Sequence, residues 1–140
     1  MTRKLHKELI RRSRAEPFGR LLGFEVLHVE SGMAKVRMPA RPEMENIFGS
    51  LHGGALFALV DEAFQLACNT HGVLSVALNV SITYMAAPSP GALLEAKAEE
   101  IHKTNRTATY YCDVREVDGG KLICTAQALA YRTGKQIDFP

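Results

Sequence analysis

A chain of 140 residues with 46% hydrophobic and 23% charged side chains has an ordinary globular composition, long enough for one domain with a real core. Its net charge of +2 lacks the basic excess of a dedicated nucleic-acid binder, and no apolar run approaches the ~20 residues that span a bilayer. Three cysteines, Cys68, Cys112 and Cys124, form no CxxC pair, and an odd number argues against a disulfide framework; they read as reduced, buried thiols of a cytoplasmic protein.

Residues 1–16 contain a basic helix whose docking residues are Leu5, Leu9 and Ile10. Its arginines could suggest a transit peptide, but the Ser-rich extension of one is missing, and they read as a solvated basic face. Pro17 ends this segment, and residues 18–22 form a short turn of helix. From Phe24 the period changes to two. Residues 24–29 and 34–38 flank Ser31-Gly32 as a hairpin, with His28 on its polar side. Pro39 and Pro42 close the hairpin, and residues 41–50 lead into the next helix.

That helix lies in the stretch NIFGSLHGGALFALVDEAFQLACN, residues 46–69. It runs roughly from Leu51 or His52 to Asn69, with Gly72 as the expected C-cap residue. Leu56, Leu59, Val60, Ala63, Phe64 and Ala67 recur at the spacing of an amphipathic helix, with one carboxylate, Asp61, on a surface of small and apolar residues. Two glycines at its start, Gly53 and Gly54, are costly as helix formers. They make sense if the first-turn N–H groups must stay open to a ligand oxygen, because those donors lack intrahelical partners and carry the positive end of the dipole. Gly54 and Asp61 are seven residues apart, so they share a face within about 20° but stand about 10.5 Å apart along the axis. One helix therefore cannot bring both to one reacting carbon. A second copy, antiparallel across a two-fold axis, brings each Gly54 near the partner's Asp61.

Four strand-like runs follow: residues 75–85, 92–102, 106–117 and 121–132. They are divided by Pro88-Ser89-Pro90-Gly91, Lys103-Thr104-Asn105 and Asp118-Gly119-Gly120. Taken as a meander, they give an α+β chain of two strands, one long helix and four strands. The economical architecture is a bent antiparallel sheet of about six strands wrapped around the helix. Residues 133–140 read as a poorly ordered tail of this single domain, 1–140. No Walker A or dinucleotide fingerprint occurs, and no Cys/His set has metal-ligand spacing, so no metal or prosthetic group is expected.

The combination Asn46, Gly49, His52-Gly53-Gly54, Ala58 and Asp61 closely resembles the signature of hotdog-fold acyl-CoA thioesterases, in the subgroup of the phenylacetic acid degradation thioesterases. The likeness continues through Asp61-Glu62-Ala63-Phe64, Ala67-Cys68-Asn69 and Ile82-Thr83-Tyr84-Met85, covering most of the chain beyond about residue 20. It implies the hotdog fold and hydrolysis of an acyl-CoA to a carboxylic acid and CoA. The site would lie at a dimer interface, in dimers that commonly pair further into tetramers. Coenzyme A is then part of the substrate and no separate cofactor is needed.

The resemblance implies roles residue by residue. Asp61 is general base or nucleophile, a choice left open, with Glu62 a weaker rival about 100° round the helix. Gly54 offers its N–H to the oxyanion, and Gly53 serves close approach and chain geometry. His52 is either a helix cap or a shaper of the oxyanion site. Asn46 is either a turn residue or a positioner of water or carbonyl. Some relatives carry a hydroxyl on the strand after the helix; here Ala77 takes that position, and Asn79 is the candidate substitute. Arg106, in the Lys103–Arg106 turn, is either a solvated hairpin residue or a phosphate ligand for the CoA nucleotide. Phe48, Phe57, Phe64, Leu78 and Tyr84 are candidates for an acyl pocket or plain core. Two other readings of such a chain are a non-catalytic acyl-CoA sensor and a hotdog dehydratase or hydratase. The retained Asp61 argues against the first, and the lack of a His/Asp or His/Glu acid–base pattern argues against the second.

Overall fold

The protein is described from a computed structural model covering residues 2–140. In chain order the elements are α1 (Thr2–Ala15), α2 (Pro17–Leu22), β1 (Glu25–Glu30), β2 (Met33–Pro39), α3 (Gly53–Cys68), β3 (Val73–Tyr84), β4 (Leu93–Lys103), β5 (Thr107–Glu116) and β6 (Leu122–Gln136). A 3-10 turn, Pro42–Met44, lies in the loop before α3.

The core forms where α3 meets the inner face of the sheet. Leu56, Leu59, Val60, Ala63, Phe64 and Ala67, the positions with helical spacing, are all buried. They meet a sheet surface of small residues: Ala34, Ala96, Ala98, Ala108, Ala128 and Ala130 are each 3% exposed or less. Small side chains at those positions let the helix seat deeply, with larger groups filling the ends. Phe64 sits edge-on against Tyr110, with ring centroids 5.5 Å apart, a favoured aromatic geometry. The single helix packs against all six strands, which is the wrapped architecture expected of the hotdog fold.

Strand order differs from a simple meander. The sheet runs β1-β2-β4-β5-β6-β3, antiparallel throughout. Of the four strands after α3, only β4, β5 and β6 follow one another; β4 joins β2, and β3 crosses to the far edge beside β6. The chain enters α3 from β2 on one side of the sheet and leaves it on the other, so the strand after the helix starts at the opposite edge. Hydrophobic period marks each strand but carries no information on its neighbour.

Helix α3 ends at Cys68, within one residue of the expected Asn69, and the residue that caps it is Asn69 rather than Gly72. The Asn69 side chain is bonded to Gln65 O, Ser75 O and Ser75 N. Gly72, at φ 82°, makes the turn into β3 instead. The C-terminal end is also more ordered than the sequence suggests. Strand β6 reaches Gln136, and Phe139 packs against the core under the Arg12 guanidinium, which lies 4.8 Å from its ring centroid. The N-terminal helix docks as expected, with Leu9 buried and Leu5 and Ile10 packed beside it.

Candidate functional site

The loop before α3 folds by local hydrogen bonds. Asn46 Oδ1 accepts from Phe48 N at 2.8 Å and Ser50 N at 3.1 Å, and Asn46 N donates to Ser50 O at 2.7 Å. This is the turn role considered for Asn46. Its Nδ2 has no protein acceptor among the described residues. His52 N then donates to Met44 O at 2.8 Å, fixing the chain as it enters the helix.

His52 has extended backbone at the N-cap, and its Nδ1 accepts from Gly54 N at 2.8 Å. The cap reading of His52 therefore holds in the free chain, and the Gly54 N–H assigned to an oxyanion is occupied by that ring. The two glycines have separate reasons. A Cβ on Gly54 would lie 2.9 Å from His52 Nδ1, so only glycine lets the ring fold over the helix start. A Cβ on Gly53 would meet Tyr84 Cζ at 3.3 Å, and the Tyr84 hydroxyl donates to Gly53 O at 3.0 Å. Asn46, Gly53, Leu56 and Tyr84 border a shallow hollow of about 350 Å³ at this end.

Asp61 lies two turns further on, in a different cavity of about 710 Å³ shared with Ser13, Glu16, Phe64, Gln65, Ser75 and Ala77 among others. Its carboxyl has no hydrogen-bond partner among the described residues. Burial, and then the Glu16 charge, push its pKa above the usual aspartate range. Glu62, the rival carboxylate, is turned into the α1–α3 interface and is 5% exposed. It accepts from Ser13 Oγ at 2.5 Å and Gln65 Nε2 at 2.9 Å, while the same Gln65 nitrogen donates to Glu16 Oε2 at 3.0 Å. Burial pushes Glu62 up to about 8 against the opposing Ser13 bond. Glu62 thus serves packing between helices, and Asp61 is the carboxylate facing open space. Burial also drives Cys68 and Cys112 up to about 12, so neither is a nucleophile near neutral pH.

Gly54, Phe57, Ala58, Asp61 and Gln65 form one stripe of α3 that this chain leaves half-covered or open. Beside it, β3 has a neighbour on one side only, and Val76 and Leu78 on it are 47% and 59% exposed. Ala77 borders the Asp61 cavity. Asn79 is exposed just past a bulge at Leu78 and borders neither hollow. Arg106 is exposed at the β4–β5 turn, away from both hollows; its N–H donates to Thr104 Oγ1 and its carbonyl accepts from Arg132 N. Within one chain, then, Asn46, His52, Gly53 and Gly54 come together, whereas Asp61, Asn79 and Arg106 stand apart from them. The contacts of Ser13 and Glu16 escape a reading of the sequence, since nothing in the local pattern of α1 names its partner on α3; Glu16 just before Pro17, at a helix start, is the one available signal. No group of three or more His, Cys, Asp or Glu among the described residues is arranged to hold a metal.

The sequence profile of the thioesterase superfamily matches residues 48–123 of the chain. A putative esterase from Archaeoglobus fulgidus is 43% identical over 120 residues, covering 86% of this chain and 76% of its own. The acyl-coenzyme A thioesterase PaaI of Escherichia coli K12 is 34% identical over 93 residues, 66% of each chain. Among solved structures, the E. coli PaaI protein from the phenylacetic acid degradation operon superposes with a TM-score of 0.87 at 28% identity, over 96% of this chain and 99% of that one. A hypothetical thioesterase from Streptococcus pneumoniae TIGR4, solved with coenzyme A, gives 0.76 at 27% identity, over 81% and 88%.

Proposed function

The chain belongs to the thioesterase superfamily, and from that membership we propose that it hydrolyses acyl-CoA thioesters to a carboxylic acid and CoA in the cytoplasm. The catalytic unit is a dimer, which pairs further into a tetramer. One observation carries the reading: the α3 stripe bearing Gly54 and Asp61 is left uncovered beside an unpaired, apolar edge strand. Exposed edges of this kind recruit another strand. Joining two β3 edges about a two-fold axis lays two α3 helices antiparallel and sets each Gly54 beside the partner's Asp61.

In that site the thioester carbonyl oxygen takes the Gly54 N–H, displacing His52 Nδ1, which then borders the oxyanion. Asn46 Nδ2 points to the water or the carbonyl. As general base, Asp61 accepts a proton while water oxygen bonds to the carbonyl carbon. The tetrahedral oxyanion collapses, the C–S bond breaks, and the CoA sulfur leaves with a proton. As nucleophile, Asp61 first forms an anhydride and releases CoA, and water then cleaves the anhydride. An Asp61 shifted upward by burial is a better base than an exposed aspartate. Phe57 and Asn79 would face the bound ester from the dimer seam, and Arg106 would meet the CoA phosphates.

Thiol release from acetyl-, hexanoyl-, decanoyl-, palmitoyl-, phenylacetyl- and hydroxybenzoyl-CoA tests the reading. Wild type should turn over at least one ester. Asp61→Ala, still folded and dimeric, should lose about 10²–10⁴ in kcat. Binding of these esters with no thiol release would make the protein a sensor instead.

A further inference from the structure

Both ends of the chain converge on the cavity beside Asp61. Leu9 of α1 lines one wall, Phe64 of α3 the floor, Leu74 and Val76 of β3 another wall, and Ile137 and Phe139 of the tail the remaining side. Apolar surface dominates the lining, and about 710 Å³ lies within the range of small-molecule pockets. The tail is fastened there. Arg12 Nη1 donates to Pro140 O at 2.7 Å, its Nε donates to Glu8 Oε1 at 2.9 Å, and its guanidinium covers the Phe139 ring at 4.8 Å. One arginine therefore ties the last residues to the first helix, beside a cavity that the proposed catalytic carboxylate also lines.

We propose that this cavity receives the acyl group and that Phe139, held by Arg12, is the stop that limits its length. The inference rests on the thioesterase reading for its substrate. It assigns a specificity role to a segment that takes no part in the chemistry. The carboxyl end of the ester sits at Asp61, and the hydrocarbon runs past Phe64 and Leu9 until it meets the Phe139 ring.

The test compares wild type with Phe139→Ala and Arg12→Ala on straight-chain acyl-CoAs from acetyl to palmitoyl. Acetyl-CoA, whose acyl group is too short to reach Phe139, is the reference against which the longer chains are read. The longest well-used chain should lengthen in both variants, with kcat/KM for palmitoyl relative to hexanoyl rising about tenfold or more, since a methylene in an apolar pocket is worth about 10–200-fold. Phe139→Trp should shift preference the other way. Calorimetric binding of the hexyl and hexadecyl thioethers of CoA reads the same pocket without hydrolysis. If wild type cleaves no ester, the thioesterase reading fails, while the thioether series still decides the role of the tail. An unchanged length profile in both assays, in variants that melt cooperatively, would overturn the proposal.

Discussion

Glu62 is a carboxyl whose chemistry burial moves far from its free state. Burial holds its proton to about pH 8, while in the unfolded chain it ionises near the usual glutamate value. Folding therefore favours the protonated form. The stability this contributes is fully present below the unfolded pKa and is lost as pH rises through the folded one. Glu62→Gln mimics the protonated side chain and can keep both the Ser13 and Gln65 contacts after amide reorientation. It should leave the urea midpoint unchanged near pH 4 and raise stability progressively above it, by on the order of a few kcal/mol at pH 8. Urea melts at four pH values check this; a constant offset across the range would remove the titration from the explanation. Asp61 carries the related consequence for turnover. In the proposed mechanism its upward shift should place the acidic limb of the kcat/KM profile above the ordinary aspartate range, because the acting form is the carboxylate.

At the scale of elements, the proposed assembly rests on β3. It offers 12 residues of edge with Val76 and Leu78 exposed, where a charged side chain is the usual guard against pairing. Leu78→Lys supplies that guard. Sedimentation should then show a monomer with unchanged far-ultraviolet circular dichroism, and thiol release should fall at least about 100-fold, since Gly54 and the partner's Asp61 separate. A variant that remains dimeric would move the interface elsewhere. The same element marks the limit of sequence reading. The apolar positions of α3, the hairpin at Ser31-Gly32 and all six strands are visible as periods of 3.6 and 2. The pairing of β3 with β6 is not, because it depends on where a buried helix delivers the chain. The site divides in the same way. Gly53, Gly54 and Asp61 stand out by residue type and spacing. The His52 ring over Gly54 N, the Tyr84 contact with Gly53 O and the burial of Glu62 against Ser13 are tertiary contacts, invisible to any local window.

At the scale of the whole molecule, a shared site has a consequence that no single-chain site can imitate. Asp61→Ala chains keep Asn46, His52 and Gly54, and Asn46→Ala chains keep Asp61. Each homodimer has two damaged sites. A mixed dimer has one site damaged twice and one in which the intact loop and helix start of the first chain face the intact Asp61 of the second. Random pairing of equal amounts makes half the dimers mixed, each with one of its two sites competent, so co-refolded variants should recover about a quarter of wild-type thiol release. If Gly54 and Asp61 served one site within a chain, every mixed dimer would carry two damaged sites and the mixture would stay at the level of its parents. Helix geometry already points to the first outcome. Seven residues of α3 hold the two groups about 10.5 Å apart, and in one chain the helix start and Asp61 border separate hollows. Recovery of activity on mixing would thus convert an axial distance on a single helix into evidence for the oligomer as the enzyme.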